Sequence, residues 1–181
     1  MHDEPNGSPD NPGTAALVTE LAARTAAEAG VSVDLLGEYL QILSDAATEG
    51  RRPEPSQLTA LRQLGELAAT AGVDADQAVD LYLSAAWHLW QAMPATVGSA
   101  AGGTKTAAET MLRVVNEAVE VLIDGHQAAG RAMIRREESV RREFIDDLLR
   151  GDADVARLIQ RAQPFGLDLG RGHQVLLAGR G

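Results

Sequence analysis

The feature that most constrains this chain is one helical pattern that runs over residues 104–150 and changes character along its length. In its first part Met111, Val115, Ala118, Leu122, His126, Ala129 and Met133 recur at spacings of three and four. Arg113, Glu117, Glu120, Asp124, Gln127 and Arg131 take the opposite side. That pattern predicts a helix with one face in a bundle core. Past Met133 the stripe almost vanishes, and "RREESVRRE" (residues 135–143) holds only Val140 as an apolar residue. Support there passes to Glu137–Arg141 and Glu138–Arg142, spaced i to i+4 with the acid first, at roughly 0.2–0.5 kcal/mol per pair. Such pairs do not hold an isolated helix. A helix of this span is about 70 Å long at 1.5 Å per residue, longer than the core of a small domain. Its last third, ending in the apolar hook "FIDDLL" (residues 144–149), is expected to leave the bundle and find a partner.

The preceding residues supply the bundle. Thr14 can cap a helix over 14–29, stopped by Gly30. Ser32 precedes a second over 33–48, with Leu36, Leu40, Leu43 and Ala47 on one face and Asp34, Glu38, Gln41 and Asp45 on the other. Gly50, Pro53 and Pro55 interrupt the chain. A third helix follows with Leu58, Leu61, Leu64 and Ala68 inward, and Gly72 ends it. Asp74 is placed to cap a fourth over 75–93, and the loop "PATVGSAAGGT" separates this group from the long helix. The chain is 45% hydrophobic but only 3% aromatic, which favours helices packed through small side chains over a β-sandwich.

Charge is unevenly spread. Residues 1–130 hold six basic and 18 acidic residues, a balance of −12, whereas residues 131–181 hold ten and eight, a balance of +2. An acidic body repels phosphate backbones, so these residues are not expected to bind nucleic acid directly. Residues 1–13, "MHDEPNGSPDNPG", are expected to be a disordered tail. They lack the basic start and apolar run of a signal peptide, and no apolar segment reaches about 18 residues. A soluble cytoplasmic protein without a membrane partner is the expectation. After Gly151, Asp152 can cap a short helix ended by Pro164 and Gly166, and Val175, Leu176 and Leu177 form one short apolar run between glycines. That run reads as an incipient β-strand, which needs neighbours to satisfy its backbone. The chain reads as cut where a second, sheet-containing domain begins.

The junction "RREFIDDLLRGDADVARLIQRAQPFGLDLGRGHQVLLAGRG" resembles that of PucR-type (CdaR-like) transcriptional regulators of actinobacteria. In those proteins a charged helix leads into a Leu-Leu-Gly ending, a short helix, a Phe-Gly-Leu turn and the first strand of a GGDEF-like domain. The upstream helices, "GVDADQAVDLYLSAAWHLWQAM" above all, are similar to the sensor domain that precedes it, itself similar to the N-terminal domain of RsbT co-antagonists. The resemblance implies a globin-like fold without haem over the helices. It also implies a DNA-reading helix-turn-helix that lies beyond these 181 residues. Under it, residues 135–150 are a signalling linker helix.

Candidate chemistry is sparse. His88 shares a helical stripe with Gln77, Asp80, Ser84 and Gln91, so it is expected to face solvent. Trp87 and Trp90 fall beside Leu83 and Met93, where core packing is the plain reading and a ligand pocket the alternative. His126 lies on the buried stripe, where a hydrogen bond or helix contact is the plain reading. Gly125 and Gly130 flank it and permit either close helix approach or a pocket. There is no cysteine, no HExxH, no EF-hand loop, no phosphate-binding glycine motif and no Gly-x-Ser-x-Gly elbow. Asp146–Asp147 and Glu137–Glu138 are adjacent, so on a helix they diverge by about 100° and cannot share a proton. No enzymatic activity, metal or cofactor is expected.

The expected architecture is all-α. A helical sensory bundle over 14–134 is followed by a linker helix over 135–150 and, over 151–181, the start of a truncated GGDEF-like domain. Two functions stay open. One is the sensing and dimerising part of a PucR-type regulator, pairing as a homodimer along Met133, Val140, Phe144 and Leu148, with Arg136, Glu137, Arg141 and Glu143 alongside. The other is a small-ligand sensor with a pocket near Trp87, Trp90 and His126.

Overall fold

Helix boundaries in this chain are set mostly by glycines that the backbone turns left-handed. A computed structural model describes residues 12–93 and 103–150. The expected disordered tail, the inter-helix loop, the short helix after Gly151 and the strand at 175–177 lie outside, or almost wholly outside, the described residues. Among the described residues there are five α-helices and one 3₁₀ turn, and no strand. The fold is all-α.

Helix α1 (Pro12–Ala29) begins two residues before the expected Thr14. A proline is tolerated there because first-turn amides have no intrahelical partner. Gly30, at φ 68°, ends it. The amides of Gly30 and Val31 then fold back onto the carbonyls of Ala27 and Ala26, at 3.2 and 3.0 Å. The same closure recurs after α3 (Pro55–Thr70), where Gly72 has φ 77° and the Val73 amide reaches the Ala68 carbonyl at 3.0 Å. Both satisfy carbonyls that a helix end would leave without donors. The start of α3 carries a device not read from the sequence, a Glu54 amide donating to the Gln57 side chain at 2.9 Å.

The continuous helix expected over 33–48 does not form. Ser32 accepts from the Asp34 amide at 3.3 Å and starts a 3₁₀ turn, Val33–Leu35. Gly37, at φ 38°, then breaks the chain before α2 (Tyr39–Glu49). A Cβ at Gly37 would lie 2.9 Å from a Leu64 methyl, so both the backbone angle and the packing of α3 favour glycine there. Leu36, Leu40 and Leu43 are nonetheless all fully buried. Helix α4 (Ala75–Ala92) starts at Asp74 as expected, but the Asp74 side chain makes no capping bond, and only its carbonyl is used, by the Ala78 amide at 2.8 Å.

Tyr39 and Tyr82 form the polar centre of an otherwise apolar core. The Tyr39 hydroxyl donates to the Tyr82 carbonyl and the Tyr82 hydroxyl to the Leu35 carbonyl, each at 2.9 Å. Their rings meet edge to face with centroids 5.2 Å apart. This pair ties α4 to α2 and to the turn before it. Burial pushes both phenols above the usual tyrosine range, and at Tyr39 the proximity of Tyr82 adds to it.

Helix α5 (Gly103–Arg150) is a single unbroken helix of 48 residues. Met111, Val115, Ala118 and Leu122 are buried as the spacing predicts, and Val114 joins them. The stripe fades sooner than expected, with Ala129 half-buried and Met133 exposed. Against α3 the two backbones nearly touch. A Cβ at Gly65 would overlap the Leu122 carbonyl oxygen, and one at Gly125 would overlap the Arg62 carbonyl oxygen. Of the two outcomes open for Gly125, close helix approach is the one found. The chain divides into two compact units, residues 1–130 and 131–181.

Candidate functional site

Three places carry the residues singled out in the sequence. The first is an apolar groove between α4 and α5, of about 310 Å³. Helix α4 contributes Leu83, Ala86, Trp87 and Trp90, one side of an amphipathic helix whose other side faces the core. Helix α5 contributes Ala108, Met111, Leu112 and Val115. Ala86, Met111 and Val115 are buried and form the floor. Trp87 is 58% exposed and Leu112 68%, and they form the rim. Core packing, the plain reading of the tryptophans, therefore holds for Trp90, which packs against the core, and fails for Trp87. The register that put Trp87 beside Leu83 was right, but that edge of α4 faces the groove.

The second place lies between α1 and α4. His88 does not face solvent as expected: its side chain is only 19% exposed. Its Nδ1 is 2.9 Å from the Thr25 hydroxyl, which is buried, and its Nε2 is 3.7 Å from the Glu28 carboxylate. Gln77 on the same stripe donates to the Ala29 carbonyl at 3.4 Å. A polar recess of about 240 Å³ beside them is lined by Glu28, Asp80 and Ser84 among others. The stripe is a polar helix–helix contact, and each polar group on it that is covered has found a partner.

The third is His126. Its Nε2 lies 2.7 Å from the Val73 carbonyl, which can only accept, so Nε2 carries a hydrogen. The imidazole thereby pins α5 to the turn that closes α3, beside the Gly65–Gly125 contact and an exposed Arg62–Asp124 ion pair at 3.5 Å. His126 does not line the tryptophan groove. The expected grouping of Trp87, Trp90 and His126 into one pocket is thus corrected. The histidine bonds to the α3–α4 turn, while the tryptophans open toward the N-terminal part of α5.

No group of three or more His, Cys, Asp or Glu placed to hold a metal occurs among the described residues, and no described helix is long and apolar enough to cross a membrane.

The family model described as the RsbT co-antagonist protein rsbRD N-terminal domain matches residues 14–141. The chain belongs to that family. Neither the curated proteins nor the solved structures compared with the chain give a match. Membership makes this RsbRD N-terminal domain a regulatory, sensory module. The matched span takes in the groove, the His88 contact and the His126 pin. It ends inside α5, within the stretch over 131–143 where every residue is exposed.

Of the four residues expected to form a dimer seam, three are accessible. Met133, Val140 and Leu148 are 43–44% exposed. Phe144 is 2% exposed, covered within its own chain, and is not free to meet a partner. Its apolar neighbours at the hook, Ile145 and Leu149, are exposed instead.

Proposed function

We propose that the chain is the signal-sensing and dimerising part of a PucR-type transcriptional regulator. In this reading it acts in the cytoplasm, has no enzymatic activity or cofactor, makes no direct contact with DNA, and leads at residues 151–181 into a GGDEF-like domain. The observation that carries the reading is α5 itself. It starts with a buried stripe in the bundle and continues without a break through 131–143, where no side chain is covered. A rigid rod rooted in a sensory bundle can pass a displacement of the bundle to whatever follows. A helix so bare of core contacts is stable when a partner covers it, because local pairs such as Glu138–Arg142, at 3.7 Å, contribute little. The favoured partner is the same helix of a second copy, along Met133, Val140 and Leu148, flanked by Arg136, Glu137, Arg141 and Glu143.

Light scattering of the full chain at micromolar concentration tests this. We expect a dimer that Val140→Asp combined with Leu148→Asp turns into monomer. A monomeric wild type, or a double variant that dimerises as well as the wild type, would refute the seam. Phe144 is left intact in this test because its substitution would damage the fold.

A further inference from the structure

We infer that the α4–α5 groove is a binding site for a small, uncharged, ring-bearing apolar molecule. The inference rests on the sensing role proposed above and gives it a ligand class. The floor is apolar and buried, and the depth comes from two small residues, Ala86 and Ala108, set between the larger Trp87, Trp90 and Leu112. No charged or hydrogen-bonding side chain other than the indoles lines it. An ionic ligand would be stripped of water there with nothing to replace it, so the occupant is neutral. The volume, about 310 Å³, falls at the lower end of small-molecule sites.

The footprint also selects against the other occupant of an apolar groove, a second protein copy. A stable protein interface takes roughly 20–30 residues a side. The groove has eight lining residues, several of them floor rather than rim. Tryptophan supplies flat, polarisable walls that suit a planar ring, and Met111 beneath can adjust to its outline. The chain has two tryptophans, and both line this groove. Energy transfer from tryptophan therefore reports occupancy of this place and not of the apolar residues near the end of α5, which include no tryptophan.

The test uses N-phenyl-1-naphthylamine, a neutral two-ring-system probe, titrated into the full chain with excitation of tryptophan. The expected result is a saturable one-to-one signal, with a dissociation constant on the order of one to a hundred micromolar. Ala108→Leu, which fills the groove from its edge, should weaken binding about tenfold or more while leaving the melting temperature nearly unchanged. Trp87→Ala should weaken it severalfold, and its exposure makes it a safe variant for folding. The anionic relative 8-anilinonaphthalene-1-sulfonate should bind about tenfold more weakly or worse. A signal that does not saturate overturns the inference. So does wild-type affinity in both variants, or equal binding of the anionic probe. Probe binding that falls as the protein associates, with Trp87→Ala abolishing association, assigns the groove to a second copy and also overturns it. Loss of probe binding with the dimer intact removes the ligand site alone. A monomer that still binds the probe removes the proposed seam alone.

Discussion

Gly125 and Gly130 lie one turn and a half apart on α5, and the same substitution should move stability in opposite directions at the two. At Gly125 a methyl group would collide with the backbone of α3, which cannot swing aside as a side chain can. Gly125→Ala should therefore destabilise by about 1–3 kcal/mol or more. At Gly130 a Cβ would meet nothing within 4 Å, so Gly130→Ala should stabilise by about 0.5–1 kcal/mol through helix propensity. Urea midpoints decide it, and a neutral Gly125→Ala would mean that the two backbones are not in contact. The buried tyrosines make a second residue-scale prediction. Their ionisation is opposed in the folded chain by burial first, with Tyr82 adding to it at Tyr39, while in the unfolded chain both titrate near the ordinary value of 10.0. Below about pH 10 their full contribution is present. As pH rises beyond it the unfolded state loses protons first, and stability should fall by up to about 1.4 kcal/mol per pH unit per tyrosine. Tyr82→Phe should lower stability at neutral pH, since the Leu35 carbonyl loses its donor, and should flatten the alkaline fall. A fall equally steep in that variant would assign it to other groups. His88 shows why burial at this scale was only partly legible. Its stripe of Gln77, Asp80, Ser84 and Gln91 is polar, and periodicity reports polarity. Whether a polar stripe is covered depends on what lies opposite, here Thr25 and Glu28 of α1.

At the scale of elements, α5 joins a well-buried length to a bare one, and the two should open separately. Amide exchange over residues 131–143 should be at least about tenfold faster than over 111–122 when the protein is dilute. Raising the concentration should slow the first and leave the second unchanged if a second copy covers the exposed length. Equal protection at low concentration would mean that α5 opens as one unit and that local pairs do more than their usual share. The change of regime was legible from spacing alone, because a core-facing stripe needs an apolar residue at every turn and "RREESVRRE" has one. Phe144 was misread for a related reason. An isolated aromatic beyond a charged run looks like an exposed anchor, and nothing in the local pattern says that its own chain will cover it. The break at Gly37 was missed because Leu36, Leu40 and Leu43 keep their inward spacing across it. A 3₁₀ turn followed by a helix buries the same leucines that one helix would, so the apolar pattern is satisfied either way.

For the molecule as a whole, every residue of the main core cluster comes from Leu21 to Leu122. Residues 1–130 form one compact unit, and the Tyr39–Tyr82 pair, the Gly65–Gly125 contact and the His126–Val73 bond all fall inside it. The apolar surface that drives folding is thus complete before the exposed part of α5 begins. A fragment ending at Gly130 should therefore fold alone, melt cooperatively, and keep its midpoint within a few degrees of that unit in the full chain. It should also lose self-association, because Met133, Val140 and Leu148 are gone. Circular dichroism gives the melt and light scattering the mass. A fragment that is helical yet melts without cooperativity would show that residues past Gly130 help order the bundle, which would make α5 a structural member throughout and not a rod leading out of it. A fragment that folds and still dimerises would move the interface onto the bundle, where the exposed rim of Trp87 and Leu112 is the largest apolar surface available to it. Cooperative folding with loss of the dimer is the result that joins the two halves of the reading. The bundle would then stand as a self-sufficient sensor, and α5 as the element through which two of them are held together.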